Sequence, residues 1–238
     1  MQSKTLGIYP IDLKMLQDPD YLTEVVYPDM QHEYYWSRDF SPEFYITQAK
    51  AGCIAICETI DGEVLLLPEM QRSYALLDME EMHISRKVAA IMRRRPLELS
   101  FSEALDPVVE RIDAYHPDSW LTPAYLEVLK RTRGVDRCFQ ALSVSLYDAG
   151  VLVAGEIGYR IGQTYTSLTG FSSREKCYRD YGKAQMVLLG QALQQQGYAF
   201  WNLGHPYMPY KTALGAKIYT RAEFLRRWYP AALFRKSD

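Results

Sequence analysis

Residues 138–171 read CFQALSVSLYDAGVLVAGEIGYRIGQTYTSLTGF, three stretches of alternating apolar and polar side chains separated by short clusters of turn formers. Alternation at a period of two sends successive side chains to opposite faces of a strand, and Asp148-Ala149-Gly150 and Gly162-Gln163 are where the chain can reverse. The pattern predicts three consecutive antiparallel strands, whose apolar face must be covered by other elements. SRKVAAIMRRRP supplies a short helix from Ser85, ended by Pro96. SFSEALDPVVERIDAY and TPAYLEVLKRTRG read as two further helical segments, the second with Pro123 near its start and Gly134 as its C-terminal cap. Beyond the strands come a helix over 182–196, the strand YAFWNLG, the helical YKTALGA and a last strand near Lys217–Tyr219.

The N-terminal part has its own pattern. Residues 1–36 mix aromatics and acids without clear period and read as an irregular extension. SPEFYITQAKAG is a helix with Ser41 as cap, Pro42 in its first turn and Gly52 at its stop, and CIAICETIDGEVLLL is a hairpin about Asp61-Gly62. A small α+β domain over residues 1–82 followed by a second domain over 83–238 is expected.

With 238 residues, 48% of them hydrophobic and 24% charged, the chain can bury a sizeable core. Apolar runs such as VLLL and VLVAG fall far short of the ~20 residues of a membrane span, and the N-terminus has no apolar signal core, so a cytoplasmic protein is expected. Cys53 and Cys57 are the one close pair among four cysteines, with no histidine beside them; they read as buried free thiols, and no metal site or cofactor is expected. Charge is unevenly spread. Up to Glu81 there are 15 Asp/Glu against 5 Lys/Arg, and beyond it 14 against 22, which points either to a polyanionic partner for the basic part or to two parts that attract each other.

The segments DFSPEFYITQAKAG, MHISRK, SWLTPAYLEVLKRTRG, GVLVAGEIGYRIGQTYTSLTGFS and KTALGA, in that order from about Asp39 to about Phe224, resemble the leucyl/phenylalanyl-tRNA–protein transferases. The resemblance implies a Gcn5-related N-acyltransferase-like domain with a mixed, largely antiparallel sheet flanked by helices, an aminoacyl-tRNA donor and an amine acceptor, either a protein N-terminus or a small molecule. It implies tRNA contacts by Arg86, Lys87, Arg93, Arg94, Arg95, Lys130, Arg131 and Arg133, two basic runs that flank Trp120. Trp120 stands where the family stacks the terminal adenosine, or else is a core tryptophan; the family's other tryptophans are replaced by Leu65, Leu66 and Leu67.

Departures gather at the aminoacyl pocket. The family's G-G-M-Y-G and G-E-S-M-F-S become AGEIG and SLTGFS, so Glu156 replaces a methionine, Leu168 a glutamate, and Gly170 opens room where a second methionine stood, with Tyr165 on the same strand pair. A buried Glu156 needs a cation, either Arg160 in the hairpin or one on the substrate. The family's D-C-Q falls at about Trp201, Asn202 and Leu203. Asn202 can hydrogen-bond a carbonyl or oxyanion, His205 carries the side-chain type that takes protons near neutral pH, and Tyr207 can protonate a leaving hydroxyl. A competing reading is acyl-CoA-dependent N-acyl transfer, because Arg179, Gly182, Lys183 and Ala184 stand in R-x-x-G-x-A ahead of a helix, the turn that cradles pyrophosphate in Gcn5-related acyltransferases. A third is a catalytically silent tRNA- or ligand-binding protein.

Overall fold

The computed structural model describes residues 8–117 and 119–233. In chain order the elements are β1 (Tyr9–Pro10), α1 (Leu13–Gln17), α2 (Pro19–Tyr21) running into a π-helical turn (Leu22–Val26), β2 (Tyr35–Trp36), α3 (Pro42–Lys50), β3 (Ile54–Ile60), β4 (Glu63–Glu69) and β5 (Ser73–Leu77). Then follow α4 (Arg86–Arg94), β6 (Leu97–Ser102), α5 (Asp106–Tyr115), α6 (Pro123–Arg131), β7 (Phe139–Asp148), β8 (Val151–Ile161) and β9 (Thr164–Ser172). The chain closes with α7 (Tyr181–Gln195), β10 (Phe200–Asn202), α8 (Pro209–Leu214), β11 (Lys217–Thr220) and α9 (Arg221–Ala232). They form two compact units: the residues through Arg72 with Trp120–Val135, and Ser73–Ser119 with the residues from Asp136 onward.

In the first unit, α3 begins where Ser41 Oγ accepts the Phe44 N–H, and α6 begins where Thr122 Oγ1 accepts the Tyr125 N–H. The β3–β4 hairpin turns through Asp61 (φ 51°) and Gly62 (φ 82°), the left-handed pair that suits a two-residue turn. Tyr45 and Tyr125, both fully buried, join their hydroxyls at 2.6 Å, and the Tyr125 hydroxyl also donates to the Ala55 carbonyl at 2.9 Å. One bond chain thus ties α3, α6 and β3 together. The extension before Trp36 is more regular than its sequence implies: β1 pairs with β2, and Asp12 and Asp18 cap α1 and α2. Its first seven residues lie outside the described residues.

The second unit is built on a seven-stranded sheet in the order β11-β5-β10-β9-β8-β7-β6. Every neighbouring pair is antiparallel except β9 and β10. The three central strands are those read from the sequence, with turns at Ala149-Gly150 (φ 49° and 82°) and at Gly162 (φ 54°). The fold is therefore α+β with a mixed, largely antiparallel sheet flanked by helices. Ala184, Val187, Leu189 and Leu193 of α7 are buried with Leu77, Tyr165 and Trp201. The alternate side chains face α9, where Tyr74 stacks on Phe224 at 3.7 Å between ring centroids. Residues 100–115, expected to be helical throughout, divide: Ser100–Ser102 complete β6, which pairs with Ser143–Asp148, and Pro107 opens the helix. Edge pairing to a long strand satisfies backbone groups there that a solvent-exposed helical turn would leave to water. Strand β5 and helix α9 are absent from the sequence reading, although Thr220 and Glu223 make a capping box. Among the described residues no helix is long and apolar enough to cross a membrane.

Phe224 has no exposed surface. Phe224→Ala is expected to cost about 3–5 kcal/mol and Phe224→Leu below about 1.5 kcal/mol, read as a large and a small drop in the urea midpoint; equal drops would remove the stack from the core.

Candidate active site

The parallel pairing of β9 with β10 lasts only from Thr164–Thr166 against Phe200–Asn202. Immediately beyond it, the β8–β9 register steps from Gly158↔Ser167 to Ile157↔Thr169, so Leu168 is an extra residue with no partner. A bulge of this kind re-aims side chains and ends regular pairing. The place where β9 and β10 part is thus written into the register.

One face of this region holds a linked set of hydrogen bonds. Glu156 of β8, only 6% exposed, accepts on Oε1 from the Tyr165 hydroxyl (3.0 Å) and the Ser167 hydroxyl (2.6 Å), and on Oε2 from the Gln185 amide of α7 (3.3 Å). The Trp201 indole N–H donates in turn to Ser167 Oγ at 2.8 Å. Burial outweighs these three donors and raises the carboxyl's pKa above 4.5. Burial, and then the Glu156 charge, likewise push the Tyr165 phenol upward. No cation of the chain reaches Glu156 among the described residues. The expected Arg160 partner instead donates to Gln140 Oε1 at 2.6 Å. The reason is the strand's own length: four residues along β8 separate the two α-carbons by roughly 13 Å.

Two glycines shape the same face. Gly170 stands opposite Glu156, and a Cβ there would lie 2.6 Å from the Gly155 carbonyl oxygen. It opens no room; it permits the close approach of β8 and β9. A Cβ at Gly158 would lie 2.5 Å from the Tyr165 hydroxyl, so the missing side chain is what admits that donor to the face.

Of the three residues at the end of β10, Trp201 and Leu203 are buried in the core. Asn202 is 1% exposed; its Oδ1 accepts the Gly204 N–H at 2.9 Å, while its Nδ2 has no hydrogen-bond partner among the described residues. Beyond it runs the loop of His205 and Tyr207, whose rings stack with centroids 5.2 Å apart. Lys211 anchors this loop. Its ammonium, on a side chain 5% exposed, donates to the carbonyls of Leu203 and His205, and burial brings its pKa down to about 8. Sequence reasoning missed the roles of Lys211, Ser167 and Gln185, although Lys211 opens KTALGA and Ser167 opens SLTGFS.

Helix α7 starts at Asp180, held at φ 68°, whose carboxylate pairs with Lys183 at 2.8 Å; that hydrogen bond, ahead of the other causes, lowers its pKa. Arg179 and Lys183 are exposed, Ala184 is buried, and Gly182 lies against Ser172, whose Cβ would be 2.9 Å from an added Cβ. A carboxylate thus sits at the helix start where a pyrophosphate would be received. Arg86, Lys87, Arg93 and Arg94 are exposed on α4 of the second unit, whereas Arg95 is held in a two-point bond by buried Asp148, which also accepts the Tyr181 hydroxyl at 2.8 Å. Exposed Lys130, Arg131 and Arg133 belong to the first unit, as does Trp120, set edge-on to Tyr125 at 4.9 Å. Leu65, Leu66 and Leu67 are buried in β4. Cys53 and Cys57 are buried thiols, and burial lifts Cys57 to about 11. Among the described residues no group of three or more His, Cys, Asp or Glu is placed to hold a metal ion.

Because the folded Glu156 holds its proton more tightly than the unfolded chain does, its contribution to stability is complete below about pH 4.5 and is lost as pH rises through the raised value. Glu156→Gln removes this loss, since Gln185 can turn its amide to present oxygen. The stability of the variant relative to wild type is expected to increase as pH rises above about 4.5 in urea titrations; a pH-independent difference would place the ionisation elsewhere.

A family model described as leucyl/phenylalanyl-tRNA protein transferase matches residues 76–229. The leucyl/phenylalanyl-tRNA–protein transferase of Pseudomonas entomophila is 28% identical over 193 residues, 78% of this chain and 79% of its own. That of Pseudomonas putida strain W619 is 27% identical over 218 residues, 89% of this chain and 85% of its own. Among solved structures, a GCN5-related N-acetyltransferase from Anabaena variabilis is similar with a TM-score of 0.42 at 13% identity, over 87% of this chain and 48% of its own. The family match runs from the end of β5 into α9, taking in β8, β9 and β10 of the Glu156 face, and this chain therefore belongs to the leucyl/phenylalanyl-tRNA protein transferase family of acyl-transferring enzymes.

Proposed function

We propose that this enzyme moves an aminoacyl group from the 3′ end of a tRNA to a primary amine, with its side-chain preference shifted from leucine and phenylalanine toward polar or basic amino acids. Membership of the family supports the donor. The start of α7 gives little support to acyl-CoA as carrier, because Asp180 already engages Lys183, one of the cations a pyrophosphate would need. The observation that carries the specificity is Glu156: buried, hydrogen-bonded by three neutral donors and paired with no cation of its own chain. A carboxylate has about four acceptor positions, and here three are taken. An aliphatic side chain would leave the acid uncompensated, while a cationic or hydrogen-bonding one supplies the missing partner.

The ester is already activated, so the protein's task is placement and stabilisation of charge. The amine nitrogen bonds to the ester carbonyl carbon, the carbon–oxygen bond to the ribose breaks, and the proton released by the amine is matched by the one the ribose oxygen takes up. The Asn202 amide is suited to the oxyanion that develops, having a buried donor without a partner, and the His205 imidazole is suited to accept the amine's proton. A peptide N-terminus and a small-molecule amine both meet these needs as acceptor.

Transfer assays with a panel of charged tRNAs test the specificity. Wild type is expected to favour polar or basic aminoacyl groups, and Glu156→Met to shift preference toward leucine or phenylalanine by roughly ten-fold or more; leucine preference in wild type would reduce Glu156 to a structural acid. A second expectation concerns the exposed α4 cations. The double variant Arg93→Ala, Arg94→Ala should weaken tRNA binding and flatten the slope of log affinity against log salt by about one to two units, while Arg95→Ala acts mainly through stability. An unchanged slope would remove α4 from the tRNA surface.

A further inference from the structure

Ser167 is the last residue of β9 to pair with β8 before the bulge at Leu168, and it directly follows Thr166, the last to pair with β10. It therefore stands where β9 and β10 part. A serine hydroxyl has one proton and two lone pairs. Here the proton is donated to Glu156 Oε1 at 2.6 Å, and one lone pair accepts the Trp201 indole N–H at 2.8 Å. The second lone pair takes no bond from the described residues, on a residue that is only half-buried while Glu156 and Trp201 are buried. The carboxylate is fixed as firmly as the hydroxyl, with the Tyr165 hydroxyl on Oε1 and the Gln185 amide on Oε2. The two phenols that feel its charge, Tyr165 and Tyr210, are pushed upward by burial and then by Glu156, so each keeps its proton. Burial also raises the Glu156 carboxyl, which brings it closer to the pH at which a base works best.

We infer that Ser167 is a nucleophile that takes the aminoacyl group from the tRNA before the amine receives it, with Glu156 as its base. The inference rests on the donor proposed above and adds a covalent step to it. Oγ bonds to the ester carbonyl carbon as its proton passes to Glu156 Oε1; the carbon–oxygen bond to the ribose breaks, and the ribose oxygen takes that proton. This leaves aminoacyl-Ser167 and free tRNA. The amine nitrogen then bonds to the same carbon, the bond to Oγ breaks, and the proton released by the amine reaches Oγ through Glu156. Each half ends with the carboxylate as it began. A hydroxyl is a weak nucleophile on its own and is activated where a base lies within hydrogen-bond reach and a third group orients that base. Ser167 and Glu156 meet the first condition, and Tyr165 with Gln185 meets the second. Both bonds to Oε1 come from this chain's hydroxyls, so the acceptor position left for the substrate side chain is on Oε2 and does not compete with the chemistry.

The test omits the acceptor. The full chain is mixed with the charged tRNA that serves best in the panel, carrying a radiolabelled amino acid, and is quenched in acid within milliseconds to seconds. Wild type is expected to carry label, to gain the mass of one aminoacyl residue on the peptide that contains Ser167, and to lose both when an amine is added, at a rate no slower than kcat. Ser167→Cys should trap the group as a thioester that hydroxylamine cleaves. Ser167→Ala should carry no label and lose roughly a thousand-fold or more in kcat, and Glu156→Gln should form the adduct far more slowly than wild type. A hydroxyl that only supports Glu156 would lower activity without ever carrying the group, so unlabelled wild type and Ser167→Cys overturn the inference whatever Ser167→Ala does. Label on a residue other than Ser167 overturns it as well. If wild type transfers the aminoacyl group in one step with no adduct, the nucleophile falls and the donor reading stands; if it neither binds nor uses charged tRNA, both fall.

Discussion

The arrangement of the second unit depends on a single parallel contact, three residues long, between β9 and β10 in a sheet that is otherwise antiparallel. Antiparallel neighbours can be joined by tight turns, as β7, β8 and β9 are, but a parallel neighbour requires the chain to travel back along the sheet before it can pair. Helix α7 is that return path, and so it lies over the face on which Glu156, Tyr165, Ser167 and Trp201 project. The acid is covered on that side because the crossover is there. Its third hydrogen bond comes from Gln185 in the second turn of the same helix, 29 residues away in sequence.

The crossover also explains why the start of α7 departs from an anion-receiving turn. Asp180 stands at the helix start, Tyr181 in the first turn ties its hydroxyl to Asp148, and Arg95 closes on the same carboxylate. Burial works against ionisation of Asp148, yet the bonds from Arg95 and Tyr181 prevail and its pKa is lowered. The acid at the positive end of the helix is Asp180, itself paired with Lys183. A basic sequence motif does not by itself reveal whether its cations face solvent or a neighbouring carboxylate.

This distinction marks how far the sequence could be read. The meander, α3, α6 and the β3–β4 hairpin were legible because caps, alternation and left-handed turn residues are local in their physics. Segment 100–115 was not, because its first residues obtain their conformation from β7, some 40 positions downstream. Glu156 could be singled out as an unusual residue in an apolar setting. Its partners could not, since Ser167 and Gln185 look ordinary until a bulge and a crossover bring them together. Gly170 was misread for the same reason: small size in a sequence signals space, whereas across a strand pair it allows contact. Lys211 announces nothing in KTALGA; only its burial beneath two carbonyls gives it a role.

The bond between the Tyr45 and Tyr125 hydroxyls joins residues 80 positions apart, and the chain between them runs through α4, β6 and α5 of the second unit. Synthesis from the ribosome is vectorial, so the first unit cannot close until α6 has emerged, by which time the edge of the other sheet is already outside and unpaired. The hairpin, α3 and the N-terminal helices must wait, with Tyr45 lacking its eventual partner, while elements of the other unit pass. Neither unit can mature as a finished bead before the next begins. The interleaved connectivity makes the order of emergence, as much as the final contacts, a condition for reaching the native state.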